Sequence, residues 1–185
     1  WSLLPESNGM NLAALQHLIR SAHALAEEVP LLVLGSASLL ASYPELGNPQ
    51  GPLASTFDAD LCPDPFDELT ATMLDEALGE NRAYFRIHGY HADILRDSIL
   101  ETLPTGWRDR LIPVPETEAA LALDPHDLAA VKLLVGRPKD LALIRELYSA
   151  GQLKQEIVRE RIGFLPIPVE LMPRLLDSYR SIFTG

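Results

Sequence analysis

An apolar stretch with a small-residue bend, followed by an acidic strand, constrains this chain most. Residues 31–36 read Leu-Leu-Val-Leu-Gly-Ser, so the apolar run ends in Gly35-Ser36. Residues 57–62 read Phe-Asp-Ala-Asp-Leu-Cys, in which Asp58 and Asp60 alternate with apolar residues. Alternate side chains of a strand share a face. The two carboxylates therefore lie on one side, about 7 Å apart along the strand, and the apolar residues face a core.

These two segments predict a particular chemistry. Two carboxylates held this close repel each other unless a cation, a proton or separate solvation relieves them. Magnesium binds carboxylate and phosphate oxygens. Backbone N–H groups at a strand-to-helix turn favour phosphate, and Gly35 allows close approach. The segments therefore indicate metal-assisted phosphoryl or nucleotidyl chemistry. The alternative is a solvated edge strand, although the flanking Phe57 and Leu61-Cys62 favour a strand inside a sheet.

The pattern of apolar residues predicts a mixed α/β front half and a helical back half. With 185 residues, of which 47% are hydrophobic and 22% charged, one compact domain or a domain with a helical annex is expected. The apolar periodicity and the positions of Gly and Pro predict, in the front half, helices at 11–28 and 67–78 and the start of a helix at 36–42. They also predict strands at 31–34, 56–62 and 111–114, a hairpin or pair of strands at 83–94 around Gly89, and a loop at 44–52. In the back half they predict helices at 127–135, 138–150, 153–162 and 169–182. We expect an α/β (α+β) fold, a mixed sheet flanked by helices, followed by a C-terminal helical segment.

Three segments are predicted along the chain. Residues 1–9 lack periodicity, and we expect them to be disordered or foreign to the native protein, with Met10 as its start. Residues 10–115 form the predicted α/β core. Residues 116–185 form the predicted helical subdomain.

Composition also bounds the partners. A net charge of −11 disfavours a broad nucleic-acid-binding face, which is normally basic. Cys62 is the one cysteine, so a disulfide framework is excluded and a reducing cytoplasm fits. No apolar run is long enough to span a bilayer, and the start lacks the pattern of a signal peptide. We therefore expect a cytoplasmic protein without a membrane partner.

The order of these motifs resembles a known superfamily. Gly-Ser followed by Asp-x-Asp on an apolar strand is similar to the nucleotidyltransferase fold of the DNA polymerase beta superfamily. Gly89-Tyr90, LPTGWRDRL at 103–111, PHDLAAVK at 125–132 and GRPKDL at 136–141 extend the match. Together they resemble a largely uncharacterised bacterial nucleotidyltransferase-like family related to the AbiEii toxin group. The resemblance covers roughly residues 10–151.

The resemblance implies roles for the first two motifs. Gly35 and Ser36 would hold the triphosphate of a nucleotide. Asp58 and Asp60 would bind the divalent metal, Mg²⁺ or Mn²⁺. Asp93, near the end of an apolar strand, is our candidate for the third catalytic carboxylate; a strand-end aspartate that faces water is the alternative. The separation between Ser36 and Asp58 is longer than usual, so the proline- and glycine-rich loop is an insertion.

A basic segment completes the implied site. By resemblance, Lys132 and Lys139 would neutralise nucleotide phosphates, and Asp140 would orient them or accept a proton. Pro138 suits the first position of a helix, which puts Lys139 in the first turn, where a cation is disfavoured unless an anion is near. That mismatch indicates phosphate binding, although a solvated lysine paired with Asp140 is the alternative. Arg137 adds a planar donor to the same turn.

The resemblance implies an activity. A metal-dependent nucleotidyltransferase moves a nucleoside monophosphate from a nucleoside triphosphate to an acceptor hydroxyl. Relatives of this kind act as toxins on RNA, so an RNA, a protein or a small molecule is open as the acceptor. The alternative is a catalytically inactive fold, serving as an antitoxin or as a nucleotide- or protein-binding module. A toxin–antitoxin partner, and a homodimer through residues 169–182, are also left open.

Overall fold

The computed structural model describes residues 9–27 and 29–184. Of residues 1–9, which are predicted to be disordered or foreign to the native protein, all but Gly9 lie outside the described residues. The chain divides into two units. The first runs to Asp97 and also includes Leu111–Leu123, and the second comprises Ser98–Arg110 and the chain from Asp124 onward. The predicted sequence boundary at residue 115 falls inside the first unit's second segment.

The first unit is built on a five-stranded mixed sheet. Its strands are β1 (Leu31–Val33), β2 (Asp58–Pro63), β3 (His91–Ile94), β4 (Ile112–Pro113) and β5 (Ala120–Ala122). The order across the sheet is β3-β2-β1-β5-β4. The pairs β2–β3 and β1–β5 are parallel, and the pairs β1–β2 and β4–β5 are antiparallel. The acidic strand β2 therefore lies inside the sheet, and the predicted α/β fold class is confirmed.

The two long helices of the first unit each begin directly after a residue whose side chain caps the helix. Asn11 accepts from the backbone N–H of Ala14 at 2.8 Å, which begins α1 (Leu12–Leu25), and Asp67 caps α2 (Glu68–Leu78) in the same way. Residues after Gly35 form two short 3-10 helices: Ser36–Ala41 lies where the start of a helix is predicted, and Pro44–Gly47 lies within the predicted loop at 44–52.

The predicted hairpin or pair of strands at 83–94 is wrong in its first half. The segment before Gly89 is a helix, α3 (Ala83–His88), not a strand. Gly89 has a φ of 79°, and its N–H bonds the carbonyl of Phe85, so it ends the helix and turns the chain into β3. A glycine between two apolar stretches is compatible with a hairpin turn and with a helix end, and the sequence pattern does not separate them.

Four α-helices make up most of the second unit, as predicted. They are α4 (Pro125–Val135), α5 (Pro138–Ser149), α6 (Gln155–Gly163) and α7 (Met172–Phe183), the last preceded by a 3-10 turn. Gly136, with a φ of 69°, ends α4, and Pro138 opens α5. Leu133, Ile144 and Val158 are fully buried. In neither unit does a helix of the described chain combine the length and the apolarity needed to cross a membrane.

A buried ion cluster lies at the start of α4. Asp127, which is 0% exposed, accepts from Arg110 Nε at 2.8 Å and from Arg110 Nη2 at 3.0 Å. Arg161 Nε lies 3.1 Å from the Oδ1 atom of Asp127. Both guanidinium groups are mostly covered. The carboxylate therefore joins α4 to α6 and to the segment that precedes β4.

Candidate metal centre

Register between β2 and β3 gathers the acidic side chains on one face. The strands are parallel, and the Cα partners are Asp58 with His91 and Asp60 with Asp93. Because side chains alternate along a strand and cross-strand partners share a face, these four lie on the same side of the sheet. The other side carries fully buried apolar residues: Ala59, Leu61 and Ala92.

Three carboxylates meet on that face. One oxygen from each of Asp58, Asp60 and Asp93 lies within 4.8 Å of the others. Asp58 and Asp60 are half-buried, and the Asp93 side chain is 48% exposed. Carboxylate oxygens are the ligands that magnesium and manganese prefer. The donor set therefore fits a divalent cation, and the structure brings the candidate third carboxylate beside the predicted pair.

Electrostatics of the cluster favour a cation. Burial raises the pKa of the Asp93 carboxyl, and the neighbouring Asp58 carboxylate raises it further, while His91 opposes the rise. The charge of Glu80 acts in the same direction as Asp58. A carboxylate that is costly to ionise among like charges is stabilised when a proton or a cation enters the cluster.

The glycine bend lies directly against the acidic strand. The backbone N–H of Leu34 donates to the carbonyl of Asp60 at 3.0 Å. A Cβ atom added at Gly35 would fall 1.8 Å from the Oδ2 atom of Asp60. With a φ of −80°, Gly35 is required here by this close approach and not by its backbone conformation. Ser36, which is half-buried, begins the 3-10 helix at the bend.

We predict that Gly35→Ala weakens divalent cation binding at least about 10-fold, because ordered carboxylate positions set metal affinity. The new methyl group must push the Asp60 carboxylate away from its present position. The measurement is calorimetric titration with Mn²⁺. Gly163→Ala is the matched control, since a Cβ there meets nothing within 4 Å, and it should bind Mn²⁺ as the wild type does. If Gly35→Ala bound Mn²⁺ as tightly as the wild type, the contact between Gly35 and the Asp60 carboxylate would not matter for metal binding.

The basic segment forms a second cluster, which belongs to the second unit. Lys132 Nζ donates to Asp140 Oδ1 at 2.8 Å, and Arg137 Nε donates to Asp140 Oδ2 at 2.7 Å. Asp140 is 1% exposed, whereas Lys139 is exposed in the first turn of α5. The lysine that pairs with Asp140 is therefore Lys132. Since both oxygens of Asp140 accept from cations, the geometry suits orientation of Lys132 and Arg137 better than proton acceptance.

Acid is expected to weaken this cluster. Burial alone would raise the pKa of Asp140, but hydrogen bonds from Arg137 and Lys132 outweigh it and hold the pKa below the ordinary value of 3.8. The ionised form therefore stabilises the fold above that value, and this contribution is lost as the pH falls through the lowered pKa.

We predict that Asp140→Asn lowers the free energy of unfolding by about 2 kcal/mol at pH 7, the scale of a charge-assisted buried hydrogen bond. The difference from the wild type should shrink at pH 3, because the Asp140 carboxyl group of the unfolded chain is mostly protonated below 3.8 and the ionised folded form then contributes less stability. Urea unfolding of the wild type and the variant at both pH values measures this difference in the free energy of unfolding. A difference that is unchanged or larger at pH 3 would contradict the assignment.

One family matches the chain, and its description agrees with this site. A family model described as a nucleotidyltransferase of unknown function, DUF6036, matches residues 10–165. Those residues include the three carboxylates, the glycine bend and the basic cluster. Searches of curated proteins and of solved structures each gave no match. The matched region covers most of the sequence, and the chain belongs to this family of nucleotidyltransferases of unknown function.

Proposed function

We propose that this chain is a metal-dependent nucleotidyltransferase that moves a nucleoside monophosphate from a nucleoside triphosphate to an acceptor hydroxyl. The observation that supports it most is the cluster of Asp58, Asp60 and Asp93, whose oxygens lie within 4.8 Å of one another beside the Gly35 bend. Membership of a nucleotidyltransferase family supports the same reaction class.

The three aspartates have different roles in the proposed reaction. Asp58 and Asp60 would hold Mg²⁺ or Mn²⁺, with Asp93 as the third carboxylate of the centre. A bound divalent cation supplies charge neutralisation of the triphosphate and of the reacting oxygens. The acceptor oxygen forms a bond to the α-phosphorus, and the bond from that phosphorus to the pyrophosphate oxygen breaks. Asp93 accepts the proton that leaves the acceptor hydroxyl.

Each unit carries residues that are suited to phosphate binding. Gly35 leaves the backbone at the bend free of a side chain, and the Ser36 hydroxyl adds a donor beside it. In the second unit, Lys132, Arg137 and Lys139 would bind phosphate groups, with Asp140 holding the first two in place. Removing such a preorganised donor typically lowers a rate constant about 10²–10³-fold.

The net charge of the chain narrows the choice of acceptor. A net charge of −11 disfavours a long RNA footprint, since extended RNA contacts need a basic surface. We therefore favour an acceptor that presents one hydroxyl locally: an RNA end, a side chain of a protein such as a toxin–antitoxin partner, or a small molecule. A single buried cysteine, Cys62, suits reaction in the cytoplasm.

Transfer of label tests the proposal. The full chain is incubated with each α-³²P-labelled nucleoside triphosphate and Mg²⁺ or Mn²⁺, together with total RNA, cell protein or small-molecule extract. Metal-dependent label on one acceptor class, with release of pyrophosphate, is expected. Metal-dependent nucleotide binding without transfer to any class would instead indicate a nucleotide-binding module or an inactive antitoxin.

A further inference from the structure

Among the four polar residues that β2 and β3 place on the carboxylate face, His91 is the buried one. It is 8% exposed, and its Cα lies opposite that of Asp58 across the β2–β3 ladder. Its backbone N–H donates to the carbonyl of Phe57 at 2.9 Å. The imidazole packs edge to face on Phe85, with ring centroids 4.9 Å apart. Backbone pairing and ring packing together fix where this imidazole lies.

The imidazole is directed at one of the carboxylates. Its Nε2 atom lies 3.3 Å from Oδ1 of Asp93. Its Nδ1 atom is buried and has no hydrogen-bond partner within the described part of the chain. An acidic oxygen accepts a hydrogen bond and does not donate one when ionised. The Nε2 atom therefore carries the proton in this contact, and Asp93 is the acceptor.

Asp93 is the exposed member of the carboxylate cluster. Its side chain is 48% exposed, and one of its oxygens lies within 4.8 Å of oxygens of Asp58 and Asp60. Asp60, by contrast, lies against the Gly35 backbone.

We propose that His91 is a positioning residue, whose Nε2–H holds the Asp93 carboxylate beside Asp58 and Asp60. The inference rests on the proposed metal-dependent function. Outer hydrogen-bond partners of metal-binding carboxylates and imidazoles typically contribute about 10–100-fold to metal affinity or activity. His91 acts through Asp93 and does not itself contact the cation or the reacting atoms.

Two substitutions separate the hydrogen bond from the space that the ring fills. His91→Gln keeps an N–H donor near the position of Nε2, whereas His91→Leu keeps the buried volume without a donor. Mn²⁺ titration of each variant, followed by electron paramagnetic resonance, measures affinity for the metal alone. We expect His91→Leu to bind Mn²⁺ about 10–100-fold more weakly and His91→Gln to bind within a few-fold of the wild type. His88→Gln, at an exposed position on α3, is the control and should leave the affinity unchanged.

Other outcomes overturn the inference. Equal Mn²⁺ affinity in His91→Leu would remove the positioning role while leaving the metal centre in place. A directly bonded imidazole nitrogen in the electron spin echo spectrum of bound Mn²⁺ would make His91 a ligand instead. If His91→Leu does not fold, His91→Asn replaces it, because its amide lies near Nδ1 and misses Asp93; unchanged affinity there has the same meaning. A wild-type chain that binds no Mn²⁺ would overturn the metal centre itself.

Discussion

The double variant Asp58→Asn, Asp60→Asn is expected to lose its response to divalent cations and to lower nucleotidyl transfer at least about 10³-fold. Both carboxylates belong to the cluster whose oxygens lie within 4.8 Å of one another. Asparagine keeps the shape of each side chain but removes the charge that attracts the cation. Charge stabilisation by a bound metal amounts to several kcal/mol in the transition state, and about 4 kcal/mol corresponds to about 10³-fold in rate.

Thermal shift and transfer assays together measure this prediction. The wild type should be stabilised by Mg²⁺ with a nucleoside triphosphate more than by either alone, and the double variant should show no shift. Without metal, the variant should unfold at the same temperature or higher, because the Asp58 charge raises the pKa of Asp93 and so costs stability in the wild type.

A charge-matched control comes from the same unit. Asp75→Asn with Glu76→Gln removes two negative charges from exposed positions on α2 and should retain both the shift and the transfer. Metal-dependent transfer that survives in the Asp58→Asn, Asp60→Asn variant would contradict the site.

The acidic pair and the bend could be read from the sequence because each depends on local rules. Alternation along a strand puts Asp58 and Asp60 on one face whatever their neighbours are. The contact of Gly35 with Asp60 depends in addition on the pairing of β1 with β2. That pairing is the simplest one to predict, because the two strands are apolar runs that follow each other along the chain. Asp93 needed the register of β3, which the sequence does not encode locally. Asp93 was a candidate because of the family resemblance.

Contacts between distant residues were not predictable in the same way. Asp140 was expected to act with the basic residues, but the sequence did not tell whether Lys132 or Lys139 pairs with it. Asp127 appeared only as a helical residue near the start of α4. Its partners, Arg110 and Arg161, lie in separate elements, and an arginine on a surface and an arginine in a buried ion pair have the same local pattern. Burial, and not spacing, makes this cluster costly to break.

Asp127→Asn is therefore expected to lower the free energy of unfolding of the second unit by about 3–5 kcal/mol. Burial raises the pKa of Asp127 although both arginines oppose the rise, and the uncharged asparagine escapes that desolvation cost, which offsets part of the destabilisation. Removing its charge leaves the mostly covered guanidinium group of Arg110 with only backbone carbonyls as acceptors, and leaves that of Arg161 with Glu160 as its remaining acidic partner. A mostly covered arginine that loses its carboxylate keeps the cost of desolvation without the compensating charge.

Unfolding of the second unit can be followed by one tryptophan. The chain has two, Trp1 and Trp107, and Trp107 is 7% exposed within that unit. In a Trp1→Phe background, urea titration monitored by fluorescence reports the unit that contains Asp127. Asp177→Asn, whose side chain is 76% exposed on α7, removes the same charge and should change the free energy by less than about 0.5 kcal/mol. A loss below about 1 kcal/mol for Asp127→Asn, within the range of a surface ion pair, would mean that this cluster does not hold the helices together.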